Sequence, residues 1–168
     1  IFFTHILAHE LCHGLGPQTN VRTSLKNHYG AIEEAKADIS SLFMLQHMFD
    51  KGLMPGRERE LYTTFLASAF RTLRFGIQEA HGRGMAVQFN HMLDSGAFVA
   101  RADGTFAVDI AKAKSAVREV TRQIMTIQAE GDYAAAGALL ERMAVVRPEL
   151  RRAIDKLGDL PVDIAPKR

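Results

Sequence analysis

Apolar residues recur every three or four positions along most of this 168-residue chain. This spacing places them on one face of an α-helix. It predicts seven helices, over about Phe2 to His13, Ala31 to Phe49, Arg57 to Phe75, Met85 to Leu93, Ile110 to Glu130, Tyr133 to Val145 and Pro148 to Leu157. Gln78 is an alternative start for the fourth. A polar loop from Gly14 to Gly30 separates the first two helices.

One segment has the shorter period of a β-hairpin. Phe98 to Arg101 and Thr105 to Val108 flank Ala102-Asp103-Gly104, and Asp-Gly between two short apolar runs is a hairpin signal. The tail from Leu160 to Arg168 contains two prolines and is predicted to be extended. The predicted fold is mainly α, a single helical domain over residues 1–168 with one small hairpin near 98–108.

Composition narrows the function classes. Hydrophobic residues make up 47% of the chain and the net charge is +2, so the chain is globular and lacks the basic footprint of a nucleic-acid-binding protein. No apolar run reaches membrane-spanning length, and no signal peptide is visible. The single cysteine, Cys12, fits a reducing compartment, so we expect a cytoplasmic protein without nucleic-acid or membrane partners.

The candidate chemistry begins in the first helix, at His9-Glu10-Leu11-Cys12-His13. Residues four apart share a helix face, so His9 and His13 can bind one metal ion, and Glu10 beside them can take a proton from metal-bound water. This pattern is typical of zinc hydrolases, usually peptidases. The alternative is a surface helix with two unrelated histidines.

A catalytic zinc ion normally needs a third protein ligand, and the second helix offers one. Glu34 and Asp38 share a stripe with two small residues, so Glu34 is the predicted third ligand. Asp38, and likewise Glu33, could hydrogen-bond the free ring nitrogen of a ligating histidine. The alternative is an ordinary solvated helix start, where acidic residues favour the helix dipole.

Two other residues near the motif are given structural roles. His5 lies one turn before His9 on the same stripe, but three residues stacked along one helix cannot all converge on one ion. We therefore interpret His5 as a supporting or structural residue. Cys12 points to another face, where a buried thiol is expected.

These motifs resemble those of the dipeptidyl peptidase III family. The resemblance rests on His-Glu-Leu-Cys-His-Gly, on Glu-Glu-Ala-Lys-Ala-Asp and on Glu79-Ala80-His81-Gly82-Arg83-Gly84. It implies that His9, His13 and Glu34 bind Zn²⁺, that Glu10 activates the water, and that Glu33 and Asp38 support the histidines. It also implies that His81 contacts the substrate and stabilises the transition state; without the resemblance, His81 would be interpreted as a surface histidine.

The resemblance spans most of the chain, with one departure. The family usually has one more residue between its two histidines, and the five-residue form here resembles divergent bacterial members. It implies hydrolysis of short peptides, with Glu10 as general base and with His81, assisted by Arg83, donating to the oxyanion.

The chain begins at Ile1, eight residues before His9, so we expect it to be the C-terminal part of a longer protein. In the family, an upstream lobe grips the substrate N-terminus, and that lobe is the expected partner. The isolated chain should then be poorly active. The alternative functions are a zinc-binding scaffold or interaction domain that has lost peptidase activity, and a helical regulatory module without metal.

Overall fold

The structure is a computed structural model that describes residues 1–162. In chain order it contains α1 (Phe2–His13), α2 (Val21–Leu25), a 3-10 turn (Lys26–His28), α3 (Tyr29–Asp50), α4 (Glu58–Leu73), α5 (Ala80–Asp94), β1 (Phe98–Ala100), β2 (Phe106–Val108), α6 (Ile110–Glu130), α7 (Tyr133–Met143) and α8 (Pro148–Asp155). The prediction of a mainly helical fold with one small hairpin is confirmed. Residues 163–168 of the predicted extended tail lie outside the described part.

Helix boundaries follow local capping chemistry. The Asp109 side chain accepts a hydrogen bond from the Lys112 backbone N–H at the start of α6, and Asp132 does the same for α7. Gly131 ends α6 with a left-handed φ of 61°. The structure confirms both predicted ends of α6, Ile110 and Glu130, and each lies next to one of these capping residues.

The loop predicted between the first two helices is more ordered than expected. It contains α2 and the 3-10 turn, and α3 begins at Tyr29, two residues before the predicted Ala31. The hairpin is antiparallel, with Phe98 opposite Val108 and Ala100 opposite Phe106. Five phenylalanines of α4, α5 and the hairpin pack ring against ring beneath it: Phe65, Phe70, Phe89, Phe98 and Phe106.

Helix α3 lies at the centre of the fold and packs against α1, α5 and α6. Its contact with α5 is close because Gly84 has no side chain: a Cβ there would lie 2.8 Å from the Ala31 carbonyl oxygen and 2.9 Å from the Ala35 nitrogen. Six of the site residues proposed from sequence lie on α1 or on the first half of α3: His9, Glu10, His13, Glu33, Glu34 and Asp38. No helix within residues 1–162 is long and apolar enough to span a membrane.

Helix α1 turns its histidine face inward. His5, Ala8, His9 and Cys12 are buried, whereas Leu7 and Leu11 of the same helix are 50% and 62% exposed. In this orientation the histidines of α1 donate hydrogen bonds to carboxylates of α3. The leucines are left as an apolar strip on the outer surface of the helix.

Candidate metal centre

The two histidines of α1 meet one glutamate of α3. The Nε2 atoms of His9 and His13 are 3.1 Å apart, and the Glu34 Oε2 atom lies 3.3 Å from the first and 3.8 Å from the second. His9 is buried, and the other two are half-buried. The structure therefore brings together the three residues proposed as zinc ligands.

The other ring nitrogens of the histidines are held by carboxylates of α3. His9 Nδ1 lies 2.7 Å from Asp38 Oδ1, and His13 Nδ1 lies 3.0 Å from Glu33 Oε1. Because a carboxylate can only accept, each Nδ1 carries the hydrogen and donates it. Each Nε2 then faces Glu34 and is the nitrogen left to bind a metal ion once it carries no proton.

A second layer of buried side chains orients those carboxylates. Gln128 of α6 donates to Glu33 Oε2 at 2.7 Å, and Gln88 of α5 donates to Asp38 Oδ2 at 3.3 Å. Each supporting carboxylate thus has one oxygen on a histidine and the other on an amide. Three helices besides α1 fix the orientation of the imidazole rings.

Lys36 is the third side chain of this layer. Its side chain is fully buried, and Nζ lies 2.7 Å from Glu33 Oε1. The same ammonium donates to the backbone carbonyls of His13, at 3.0 Å, and Leu15, at 2.8 Å. It therefore satisfies the His13 carbonyl at the end of α1, and it shares the Leu15 carbonyl with the Gln18 side-chain amide, which donates to that oxygen at 3.1 Å.

The ligand atoms fit a small cation. Atoms about 2.0–2.2 Å from a tetrahedral zinc ion lie about 3.3–3.6 Å from each other, and the three observed separations bracket that range. The Glu34 Oε2 atom is buried without a hydrogen-bond partner, although imidazole nitrogens surround it. Two histidines and a carboxylate are also a ligand set typical of catalytic zinc.

Charge interactions change the protonation of this cluster. Burial disfavours the charged form of His9, but hydrogen bonds to Asp38 and Glu34 outweigh it and raise the pKa of His9 to about 10. Burial likewise disfavours the Glu33 carboxylate, yet the hydrogen bonds from Lys36 and His13 lower its pKa. The centre therefore concentrates negative charge that a cation, whether proton or metal, compensates.

The two residues proposed to act in catalysis, Glu10 and His81, differ in their contacts. Glu10 is exposed on α1, and its carboxylate forms no hydrogen bond or ion pair within residues 1–162. His81, in the first turn of α5, has a side chain that is 66% exposed, and its Nε2 lies 3.1 Å from Glu34 Oε2. The rings of His81 and His9 are roughly parallel with centroids 6.5 Å apart. The structure thus brings His81 to the metal centre.

Arg83 is not brought to the same place. Residues two apart on a helix do not face each other, so Arg83 and His81 lie on different sides of α5. Burial, and to a smaller extent the Arg83 charge, lower the pKa of His28. No hydrogen bond or ion pair joins Arg83 to the centre in the described region.

His5 and Cys12 occupy apolar surroundings. His5 is buried with its ring edge on Phe65, at 5.6 Å between centroids, and burial lowers its pKa. The Cys12 thiol is fully buried, and burial raises its pKa. Neither is among the residues whose ligand atoms converge with Glu34.

Lys36, Gln88 and Gln128 were missed at the sequence level, although each leaves a signal. Gln128 follows Ile124 and Ile127 on the apolar face of α6, where a polar residue needs a buried partner. Gln88 is one helical repeat after His81, and Lys36 lies one turn after the apolar Ile32. A polar side chain at a core position next to a metal motif is the feature that would identify them.

No family model matches the chain. The solved structure of dipeptidyl-peptidase III from Corallococcus sp. strain EGB is 54% identical over 99% of the chain, with a TM-score of 0.95. The structure of DPP III from Caldithrix abyssi is 44% identical over 97% of the chain, with a TM-score of 0.93. The chain covers 33% of each of those two chains.

A curated relative carries a different name. Nudix hydrolase 3 of Arabidopsis thaliana is 44% identical over 177 residues, which cover 98% of this chain but 23% of the relative. That name describes a protein about four times as long as the matched part. The two solved structures match nearly the whole chain in three dimensions, and they decide the fold of this segment.

Proposed function

This chain is a dipeptidyl-peptidase-III-like helical segment, and we propose that it carries the zinc centre of an enzyme that hydrolyses peptide bonds in short peptides. The observation that carries the proposal is the convergence of His9 Nε2, His13 Nε2 and Glu34 Oε2. When bound there, Zn²⁺ supplies Lewis-acid chemistry that polarises a carbonyl and makes water a better nucleophile.

Each side chain of the chain then has a distinct task. Glu10 accepts the proton of the attacking water at its carboxylate and passes it to the nitrogen of the leaving amine. Its exposure and lack of a protein partner leave both oxygens free for this transfer. His81 donates from its ring to the charge that develops on the substrate oxygen. Its position at the edge of the centre supports this role.

The supporting residues fix geometry. Asp38 and Glu33 hold the two imidazoles in the ligating tautomer, and Lys36 ties Glu33 to the end of α1. Such outer partners typically change metal affinity or activity by about 10- to 100-fold when removed. Arg83 has no direct contact with the centre in the described residues, and its role as a substrate contact stays a prediction.

The activity proposed belongs to a longer protein. The chain spans about a third of its solved relatives, so we propose that residues 1–168 form the helical catalytic part and that the remainder supplies the other side of the substrate cleft. The exposed leucines of α1 offer an apolar surface for that remainder. A cytoplasmic location is proposed with it, from the single buried cysteine.

Metal analysis and kinetics on the full protein test the proposal. We expect one zinc per chain, and a loss of kcat of roughly 10²- to 10⁴-fold for Glu10→Gln with zinc retained. Glu130→Gln, an exposed glutamate at the end of α6, is the matched control and should hydrolyse peptides normally. Unchanged hydrolysis by Glu10→Gln would refute its role. Bound zinc without hydrolysis of any short peptide would instead indicate a zinc-binding scaffold.

A further inference from the structure

A cleft of about 520 Å³ lies beside His81, between the end of α4 and the start of α5. We call it the α4–α5 cleft. Its walls are Arg71, Thr72 and Phe75 on one side, and Glu79, His81 and Gly82 on the other. The volume is within the range of about 300–1,000 Å³ that is common for small-molecule sites. Because His81 also contacts Glu34, the cleft adjoins the metal centre.

The backbone shapes this cleft closely. A Cβ on Gly82 would lie 2.0 Å from the carbonyl oxygen of Gly76, so the connection between the two helices passes directly over the first turn of α5. Gly76 itself has a φ of +95°, which disfavours any side chain there. The cleft is therefore walled by a tight backbone crossing, and its two sides keep a defined separation.

Arg71 is the positive group of the cleft, and the structure orients it without neutralising it. Its guanidinium carbon lies 5.9 Å from the centre of the Phe75 ring. A cation–π contact at this distance favours a position of the guanidinium over the ring while its N–H groups stay available. Within residues 1–162, the Arg71 side chain forms no hydrogen bond or ion pair. A planar pair of free N–H donors matches the two oxygens of a carboxylate.

Glu79 introduces the opposite charge into the same cleft. It precedes α5, its side chain does not cap that helix, and it forms no ion pair with Arg71 in the described part of the chain. A ligand carboxylate at Arg71 is therefore attracted by the guanidinium and weakly repelled by Glu79. The two residues should affect binding of such a ligand in opposite directions.

We propose that the α4–α5 cleft binds a carboxylate of the peptide substrate, with Arg71 as its ion-pair partner and Phe75 as the apolar surface for the adjoining side chain. This inference rests on the proposed function, and adds a preference for one class of peptide. The carboxylate is either the peptide C-terminus or an acidic side chain. Both present the same two oxygens to Arg71.

Matched peptides and variants of the zinc-loaded full protein test the inference. One peptide is used as its free acid and as its C-terminal amide, and a second pair exchanges an Asp side chain for Asn. We expect the wild type to prefer the member with the carboxylate. Arg71→Ala should lower kcat/KM for that member roughly 5- to 30-fold, mainly through KM, and leave the uncharged member within about twofold.

Three further variants sharpen the result. Arg71→Lys should restore part of the preference, because it keeps the charge but loses the planar fork. Glu79→Gln should increase the preference for the carboxylate. Arg59→Ala removes an exposed arginine near the start of α4 and should change neither value. The pair that responds to Arg71 identifies the source of the carboxylate, terminal or side chain.

An unchanged acid-to-neutral ratio in Arg71→Ala, for both peptide pairs, would overturn the inference. If the wild type hydrolyses no peptide, the proposed function fails, and the cleft is tested separately by titrating the same peptides and following binding by calorimetry. Tighter binding of the carboxylate member, lost in Arg71→Ala, would support the cleft on its own. Equal binding of both members would refute it.

Discussion

Replacing Lys36 by methionine removes a buried charge that joins the metal centre to the fold. Methionine keeps most of the length of the lysine stem, so the change tests the ammonium rather than the packing. Three contacts disappear, to Glu33 Oε1 at 2.7 Å and to the carbonyl oxygens of His13 at 3.0 Å and Leu15 at 2.8 Å. The lysine side chain is fully buried, so water does not replace them easily.

The cost follows from the partners that are left behind. Removing one member of a buried ion pair typically destabilises a protein by about 3–5 kcal/mol, because the other charge stays buried. Glu33 keeps its hydrogen bonds to His13 and Gln128, which places the expected loss near the lower end, at about 3 kcal/mol. For a chain of this size, that corresponds to a lower Tm by roughly 6–12 °C.

Urea unfolding followed by circular dichroism measures this loss. A chelator is present throughout, so that metal binding does not contribute to the free energy of unfolding. The control is Lys51→Met, an exposed lysine just after α3, which should stay within about 0.5 kcal/mol of the wild type. A loss below about 1 kcal/mol for Lys36→Met, or one equal to that of the control, would refute the interpretation of Lys36 as a structural link.

Two further predictions concern packing and pH. Gly84→Ala places a Cβ 2.8 Å from the carbonyl oxygen of Ala31 and should destabilise the protein by about 1–3 kcal/mol. The control is Gly56→Ala, whose Cβ meets nothing within 4 Å. Thermal unfolding compares the two variants, and equal Tm values would contradict the close α3–α5 contact. A hydrogen bond from Arg147 lowers the pKa of Asp94. The stabilisation that it gives is present above the unfolded-state pKa and is lost as pH falls through the folded value. The free energy of unfolding of Arg147→Gln should therefore be lower than that of the wild type at pH 7, and the two values should converge as the pH is lowered. A difference that stays constant with pH would argue against a role for this ion pair.

Much of this fold is visible in the sequence because its signals are local. The helix predicted over about Ile110 to Glu130 has these bounds in the structure, where the Asp109 cap and the left-handed Gly131 mark its two ends. The His9–His13 spacing and the acidic start of α3 also indicated which side chains could meet, because helical periodicity alone places them on single faces.

The remaining features depend on contacts between distant segments. Lys36 looked like part of a solvated acidic helix start, but it is buried, since the carbonyls that it binds come from the end of α1 and the loop beyond. The exposure of Leu7 and Leu11 also depends on a distant segment, because it is the histidine face of α1 that hydrogen-bonds α3. Neither the helix-to-helix orientation nor the α4–α5 cleft follows from periodicity.

All four charged groups that α3 contributes to the centre lie within six residues, from Glu33 to Asp38. A slip of this helix by one residue would move each of them by about 1.5 Å along the axis and about 100° around it. His9 and His13 would both lose their supporting carboxylates in the same event. Gly84 allows α5 to approach α3 closely at Ala31 and Ala35, next to the residues that form the centre. A glycine that contributes no functional group therefore helps to fix the position of the helix that carries the carboxylates.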